Sequence, residues 1–264
     1  GGINKTVVAF FITKQPFYSI NPDVLQSKAQ MEEINRICGD IEEQAGKKLF
    51  YKVTSNNGSF DFPNLNEMVD DYYKLKLRRN VQSWKSRNLP PITTHNLVHD
   101  GADQVLNYLR TANLLNYSND NVKVVYHPDF LNSSNPLFRM DYSQFLRGCH
   151  LGIFPSYYEP WGYTPLECLA SGVPAITSDL SGFGDYIANN IEDFEDSGMF
   201  LVRRKQKSFD ESAEELSNVM LRFVLKERRD RISLRYKSEN LAQHFDWSNL
   251  RSYYDEAHYK ALNK

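Results

Sequence analysis

No apolar run in this chain is longer than Val7–Ile12, far short of the roughly 20 residues that span a bilayer. Cysteine is scarce: there are three, Cys38, Cys149 and Cys168, an odd number with no C-x-x-C spacing. That count argues against a disulfide framework and against a zinc site, and a reducing, cytoplasmic compartment fits it. An excess of charge of either sign is also missing, since 31 Lys and Arg face 33 Asp and Glu for a net charge of −2. Whole-surface binding to nucleic acid is therefore not expected, although a local basic patch survives such averaging. There is no internal repeat and no low-complexity tract. No charged-then-apolar leader opens the chain, so a secretory route is not indicated, and the N-x-S/T sequons at Asn4, Asn57, Asn116 and Asn132 would matter only in a secreted protein. The chain begins Gly-Gly without Met and enters a strand-like run almost at once, which reads as a fragment whose upstream part lies elsewhere.

What is present is an ordinary globular composition, 41% hydrophobic and 24% charged over 264 residues. That length makes one large domain or two small ones and buries about 70–75% of the unfolded surface. Five apolar runs bounded by turn residues read as buried parallel strands: Thr6–Ile12, Val122–Tyr126, Leu151–Phe154, Pro174–Thr177 and Met199–Val202. Helical stretches fall between the later ones, near Tyr142–Cys149, Pro165–Ser171 and Gly184–Asn190. That alternation predicts an α/β fold with a doubly wound, Rossmann-like parallel sheet.

Residues 21–116 break the rhythm. They read as a helical insertion, with helices near 23–45, 65–87 and 99–115 separated by Asn56–Asn57–Gly58 and Pro90–Pro91. Leu25, Met31, Ile34, Ile37 and Ile41 recur there at helical spacing, suited either to packing on the sheet or to oligomerisation. A long C-terminal helix is expected from about Ser212, with Ser212 and Glu215 as its capping box and Leu216, Val219, Met220 and Phe223 as its apolar stripe.

The chemistry concentrates in LGIFPSYYEPWGYTPLECLASGVPAITSD, residues 151–179. A strand ends at Phe154, a loop carries Tyr157, Tyr158, Glu159, Pro160, Trp161 and Gly162, and a short helix follows. Thr164 reads as its N-cap, Pro165 as N1 and Glu167 as N3, with Gly172 closing it. Such a loop lies at the carboxyl end of a parallel strand, where open α/β sheets bind ligands. The backbone N–H groups of Gly162–Leu166 suit a diphosphate. Glu159 and Glu167 are placed to line one pocket, although Glu167 has the alternative of closing a capping box with Thr164. A carboxylate among Tyr157, Tyr158 and Trp161 favours a functional Glu159; Trp161 alone has the alternative of a core side chain.

A second feature is the basic stretch Arg222–Lys237, with seven Lys or Arg against Glu227 and Asp230. On a helix Arg228, Arg231 and Arg235 share one face, and two guanidinium forks one turn apart suit a phosphate monoester. Spacing alone favours the plainer alternative, a solvated basic face with acidic residues near the helix start and basic ones near its end.

The segment RGCHLGIFPSYYEPWGYTPLECLASGVPAITSDLSGFGDYI resembles, nearly residue for residue, the donor-site segment of eukaryotic glycogen synthases. The resemblance continues through KTVVAFFI, PPITTHN, HPDFLN, the arginine run and HFDW, and so covers almost the whole chain. It implies the second Rossmann-like domain of a GT-B fold, from a retaining enzyme that passes glucose from UDP-glucose to the non-reducing end of glycogen by an α-1,4 linkage. By the same resemblance Glu159 is the catalytic acidic residue against the glucosyl ring, and Glu167 binds the nucleotide ribose. Tyr142 stacks on uracil, Trp161 lies in the substrate-binding segment, and Gly162, Tyr163 and Thr164 contact diphosphate and sugar. No metal and no cofactor are implied. The arginine run becomes a sensor of glucose 6-phosphate, with Arg231 and Arg235 on the phosphate and His150 nearby, while Arg228 and Arg229 govern subunit contacts and the response to phosphorylation. Lys237 and Asn240 stand where relatives tend to carry Arg.

Family partners are glycogen and glycogenin, the expected assembly is a homotetramer held partly by the inserted helices, and neither nucleic acid nor membrane is a partner. The family's first Rossmann domain is absent from this chain, and so are the Arg and Lys that clamp the leaving diphosphate. A helix N-terminus gives an anion about 0.3–1 kcal/mol, or up to about 2 in good geometry, against the roughly 8–23 kcal/mol of an enzymatic barrier reduction. The segment alone is therefore expected to transfer no glucose. Two alternatives remain: another two-domain retaining glycosyltransferase, which needs neither the insertion nor the arginine face, and a regulatory and oligomerisation module that binds glucose 6-phosphate without chemistry.

Overall fold

The computed structural model of the protein describes residues 5–55, 64–85 and 89–263. The chain forms two compact units, residues 1–130 and 131–264. The predicted turn at Asn56–Asn57–Gly58, the sequons at Asn4 and Asn57 and the last two residues of the predicted helix 65–87 lie outside the described residues.

The first unit opens with strand β1 (Val7–Ile12) and strand β2 (Phe17–Ile20). Helix α1 (Pro22–Ser55) follows, about 51 Å long at 1.5 Å per residue. Pro22 leads it, and the Asn21 side chain accepts from the Asp23 backbone N–H at 2.9 Å, as expected at a helix start. The helix runs past the predicted end at residue 45 because Gly46 is a weak breaker, costing about 1 kcal/mol, and the good formers after it carry the pattern on. The predicted second helix is two: α2 (Leu65–Met68) and α3 (Asp71–Lys85). Asp70 interrupts them by accepting from Gln44 and Lys48 of α1, and its carbonyl takes the N–H groups of Tyr73 and Lys74. Along α1 only Ile37 of the predicted stripe is buried.

Strand β3 (His95–Leu97) pairs antiparallel with β2, a short ladder that the sequence reading missed. The predicted helix 99–115 is a single 3-10 turn, Asp100–Ala102, and then α4 (Gln104–Thr111). Asp103 divides them, capping Leu106 N–H at 2.7 Å and accepting from the Tyr126 hydroxyl at 2.8 Å. Strand β4 (Val122–His127) lies parallel to β1, with Val7 opposite Val122 and Ile12 opposite His127. On its other side the Asn116 side chain accepts from Val124 N–H at 2.7 Å and donates to Val124 C=O at 2.9 Å. Ile92, Leu97, Leu106, Leu109, Val124 and Tyr126 form this unit's apolar core. β1 was expected to be buried and is not: Val8, Phe10 and Phe11 are 48%, 41% and 40% exposed, and among the described residues β4 is the only strand paired with it.

The second unit contains helix α5 (Tyr142–Gly148), strand β5 (Gly152–Phe154), helix α6 (Tyr163–Ala170), strand β6 (Ala175–Ser178), helix α7 (Gly182–Asn190) and strand β7 (Met199–Val202). The three strands form a parallel sheet in the order β5-β6-β7. All five predicted strands are thus present in parallel ladders, divided two and three between the units. Strand side chains alternate between faces. Ala175 and Met199 accordingly enter a cluster with Cys168, Leu169, Phe183, Ile187 and Phe245, whereas Ile176 and Phe200 enter a second cluster with Val219, Phe223 and Leu234. Every residue of β6 and β7 is buried.

The single long C-terminal helix is replaced by three: α8 (Phe209–Leu225), α9 (Arg228–Ala242) and α10 (Trp247–Leu262). α8 starts one turn before the predicted place. Ser208 and Glu211 form its capping box, while Ser212 is buried and donates to Ser208 C=O at 2.9 Å and Glu215 pairs with Lys207 at 2.7 Å. A serine followed three residues later by glutamate occurs twice in SFDESAEE, and the copy nearer the loop makes the cap. The predicted apolar stripe holds: Val219 and Phe223 are buried, with Leu216 and Met220 packed on the same cluster. Among the described residues no helix is long and apolar enough to cross a membrane.

Candidate active site

The loop 155–162 leaves the carboxyl end of β5 and is pinned at several residues. Glu159 C=O accepts from Gly182 N–H at 3.0 Å, and Trp161 C=O accepts from Phe183 N–H at 2.7 Å. The loop therefore runs like a short parallel strand beside the start of α7, with Glu159 bridged to Ser181. Position 182 must be glycine for this approach, since a Cβ there would sit 2.1 Å from Pro160 O. Trp161 fixes the loop from beneath, packing edge-on to Phe183 at 5.7 Å and to Tyr186 at 5.9 Å. Trp161 thus packs on the start of α7 and remains half-buried. Tyr157 and Tyr158 point outward, 79% and 80% exposed.

The Glu159 carboxylate is half-buried and accepts from Ser156 Oγ at 2.9 Å. Its Cδ lies 3.5 Å from the position a Cβ on Gly162 would take, so it rests over the first residue of the next turn. Gly162 has φ +120°, a conformation open to glycine, and it is the N-cap of α6 with no side-chain cap. Thr164 was expected in that place. It is instead the second helical residue, with Pro165 third and Glu167 fifth, so the capping box of Thr164 with Glu167 does not form. Because Gly162 supplies no side chain, the first N–H groups of α6 are left for another acceptor. Gly172, with φ +66°, follows the helix as predicted.

Glu167 is exposed on α6 while its neighbours Cys168 and Leu169 face the core. Burial pushes the Cys168 thiol up to about 12, which leaves it inert at neutral pH. Tyr142, the first residue of α5, is half-buried against the same core. Burial, with the nearby Cys168 and Glu167 adding to it, pushes its phenol up to about 12. The structure therefore brings Tyr142 and Glu167 into one neighbourhood and sets Glu159, Gly162, exposed Tyr163 and half-buried Thr164 around the start of α6.

The arginine face is built differently from the expectation. α9 begins at Arg228 after a break at Lys226–Glu227, so Arg228, Arg229 and Arg231 occupy the first turn of a new helix. Positive charge there opposes the helix dipole, while Glu227 at the N-cap and Asp230 in the first turn supply the acidic residues that the plainer reading placed near a helix start, and the last turn carries no basic residue. Arg235 donates to Cys149 C=O at 2.8 Å and to Arg147 C=O at 3.0 Å, which docks α9 on the turn that carries His150. Arg231 donates to Lys226 C=O at 2.5 Å. Arg231 and Arg235 are half-buried, whereas Arg228, Arg229 and His150 are exposed.

A family model described as glycogen synthase matches residues 1–264. The chain belongs to the glycogen synthase family. Among named relatives, the "Glycogen [starch] synthase" of Neurospora crassa is 39% identical over 263 residues, spanning 100% of this chain and 37% of the relative. The "Glycogen [starch] synthase isoform 1" of Saccharomyces cerevisiae is 41% identical over 271 residues, 100% of this chain and 38% of the relative. The "Glycogen [starch] synthase, liver" of Homo sapiens is 38% identical over 259 residues, 98% of this chain and 36% of the relative. The chain thus spans little more than a third of the length of the curated relatives it matches.

Sequence reasoning missed three contributors to the loop: Ser156, Ser181 and Gly182. For Ser181 and Gly182 the signal was the run Ser181–Gly182–Phe183–Gly184 shortly after a strand, a pattern of small residues at a helix start where another backbone approaches closely.

Proposed function

We propose that this chain is the nucleotide-sugar-binding portion of a GT-B enzyme that transfers glucose from UDP-glucose to the non-reducing end of glycogen with retention, as the family's name and the loop's chemistry together support. The observation that carries the proposal is the Glu159 carboxylate, held by Ser156 and resting over Gly162 at the uncapped start of α6. In this reading the free N–H groups of Gly162, Tyr163 and Thr164 receive the diphosphate, Tyr142 stacks on uracil and Glu167 takes the ribose. Glu159 then stands against the glucosyl ring, where positive charge develops as the bond to UDP breaks.

Regulation belongs to the same proposal. Arg231 and Arg235 hold glucose 6-phosphate beside His150, and Arg228 and Arg229 act on subunit contacts in a homotetramer assembled partly through α1 and α3. A cytoplasmic location and a glycogenin partnership complete it. The support is the set of three cations crowded at the α9 start and the docking of Arg235 on the 147–150 turn.

The test is calorimetric titration of UDP into the full-length protein with Tyr142→Ala, Glu167→Ala and Glu159→Gln alongside, followed by glucose transfer to glycogen. Both of the first two substitutions are expected to weaken UDP binding about tenfold or more. Glu159→Gln should retain UDP while losing about 10²–10³-fold in turnover, the range for removing one preorganised electrostatic contact to a transition state. UDP affinity unchanged by both pocket substitutions would overturn the donor assignment.

A further inference from the structure

We infer that Arg204 is a positioning residue for the Glu159 loop, a role that rests on the donor-site reading above. The three parallel strands end in register, with Phe154 opposite Thr177 and Thr177 opposite Leu201. The residues just beyond those ends, Pro155, Asp179 and Arg204, are therefore neighbours on the sheet's carboxyl rim.

Arg204 ties the three together. Its backbone N–H donates to Asp179 Oδ1 at 2.7 Å, and Lys205 N–H donates to the same carboxylate at 3.2 Å, which locks the β7 end to the β6 end. From that fixed point the guanidinium Nη1 donates to Pro155 C=O at 2.6 Å and lies over the Tyr157 ring at 5.0 Å. Pro155 and Tyr157 flank Ser156, whose hydroxyl holds Glu159 at 2.9 Å. Arg204 thus grips the loop on both sides of the residue that orients the carboxylate. A planar fork serves both contacts at once, one N–H in its plane and one face over a ring; a lysine ammonium offers no such plane. The sheet supplies a rigid anchor, because every residue of β6 and β7 is buried.

The experiment uses the full-length protein carrying Arg204→Ala and, should that variant fold poorly, Arg204→Lys. Expected is a fall of 10-fold or more in kcat for glucose transfer, with the Kd for UDP within about twofold of wild type, and partial recovery when free guanidinium is added to the Ala variant. The Lys variant is expected to stay impaired. A residue that only stabilised the fold would lower the unfolding midpoint without separating kcat from UDP affinity and without rescue. Full turnover in a folded Arg204→Lys or Arg204→Ala protein, alongside a Glu159→Gln protein that has lost it, would overturn the positioning role and leave the donor reading standing. If wild type itself transfers no glucose, the donor reading fails; amide exchange over residues 156–162 then decides the role. Exchange accelerated 10-fold or more in the Arg204 variants supports the grip, and unchanged exchange overturns it.

Discussion

The two units both hold parallel strands, and they bury very different things around them. In residues 131–264 the sheet has an apolar cluster on each face, and every residue of β6 and β7 is buried. Among the described residues of 1–130 there is one apolar cluster, and the same unit holds buried polar groups: Thr94 Oγ1 sits 2.9 Å from Nδ1 of both His95 and His127. His127 is fully buried, and burial with the neighbouring His95 lowers its pKa to about 4; burial lowers that of His95 as well. The difference teaches where chemistry can be placed. A sheet closed by apolar clusters on both faces, with buried hydroxyls such as Thr177, Ser178 and Ser181 that do not titrate near neutral pH, leaves charge to the loops at its carboxyl rim, whereas a unit that buries imidazoles ties its own stability to pH.

The largest expected effect tests the apolar side of this contrast. Phe183→Ala empties a fully buried ring site at the centre of the second unit's core and is expected to destabilise it by about 3–5 kcal/mol. Leu106→Ala in the first unit is expected to cost about 2–4 kcal/mol. Denaturant unfolding followed by amide exchange in each unit measures both, and an equal or larger loss at Leu106 would break the comparison.

A middle-sized effect tests the polar side. A histidine whose folded pKa lies below its unfolded value near 6.5 contributes stability above that value and loses it as pH falls towards the folded pKa of about 4. Protection of amides in residues 92–127 should therefore fall between pH 6.5 and 4, more steeply than protection in β5–β7. His127→Asn should flatten that slope, leaving the part due to His95; an unchanged slope would remove His127 as its source.

The smallest effect sharpens the contrast locally. Asn116→Ala removes both hydrogen bonds to Val124 and leaves two backbone groups in need of partners. The expected cost is about 1–3 kcal/mol, read as faster exchange at Val124 with β5–β7 unaffected.

Much of the second unit was legible in its residues. The runs at 151–154, 174–177 and 199–202 are short, apolar and bounded by turn formers, and each forms a strand within a residue or two of its expected place. Helix boundaries were less legible, because one capping residue decides them and several compete. Asp70, Asp103 and Ser208 won those competitions through tertiary partners that lie far away in sequence or through position in the loop, neither of which spacing reveals. The same holds at the site. Glu159, Glu167 and Gly162 stood out as residue types in a pattern, whereas the Thr164 cap was displaced because Gly162 at φ +120° starts α6 early. Arg204 was invisible: it lies 49 positions from Pro155, and only the register of three strands brings them together.

The Asn116 amide has one more consequence. Along β4 alternate residues turn their backbone groups away from β1. There Val124 meets the two ends of that amide, while Tyr126 N–H is taken by Ile92 C=O and Tyr126 C=O by Thr94 N–H. A side chain and a short bridge together occupy the outer rim of the strand at Val124 and Tyr126. A strand with its outer amides already spoken for is a poor template for an incoming chain. In this way the asparagine and the bridge shield the outer side of β4 at Val124 and Tyr126 from an incoming strand.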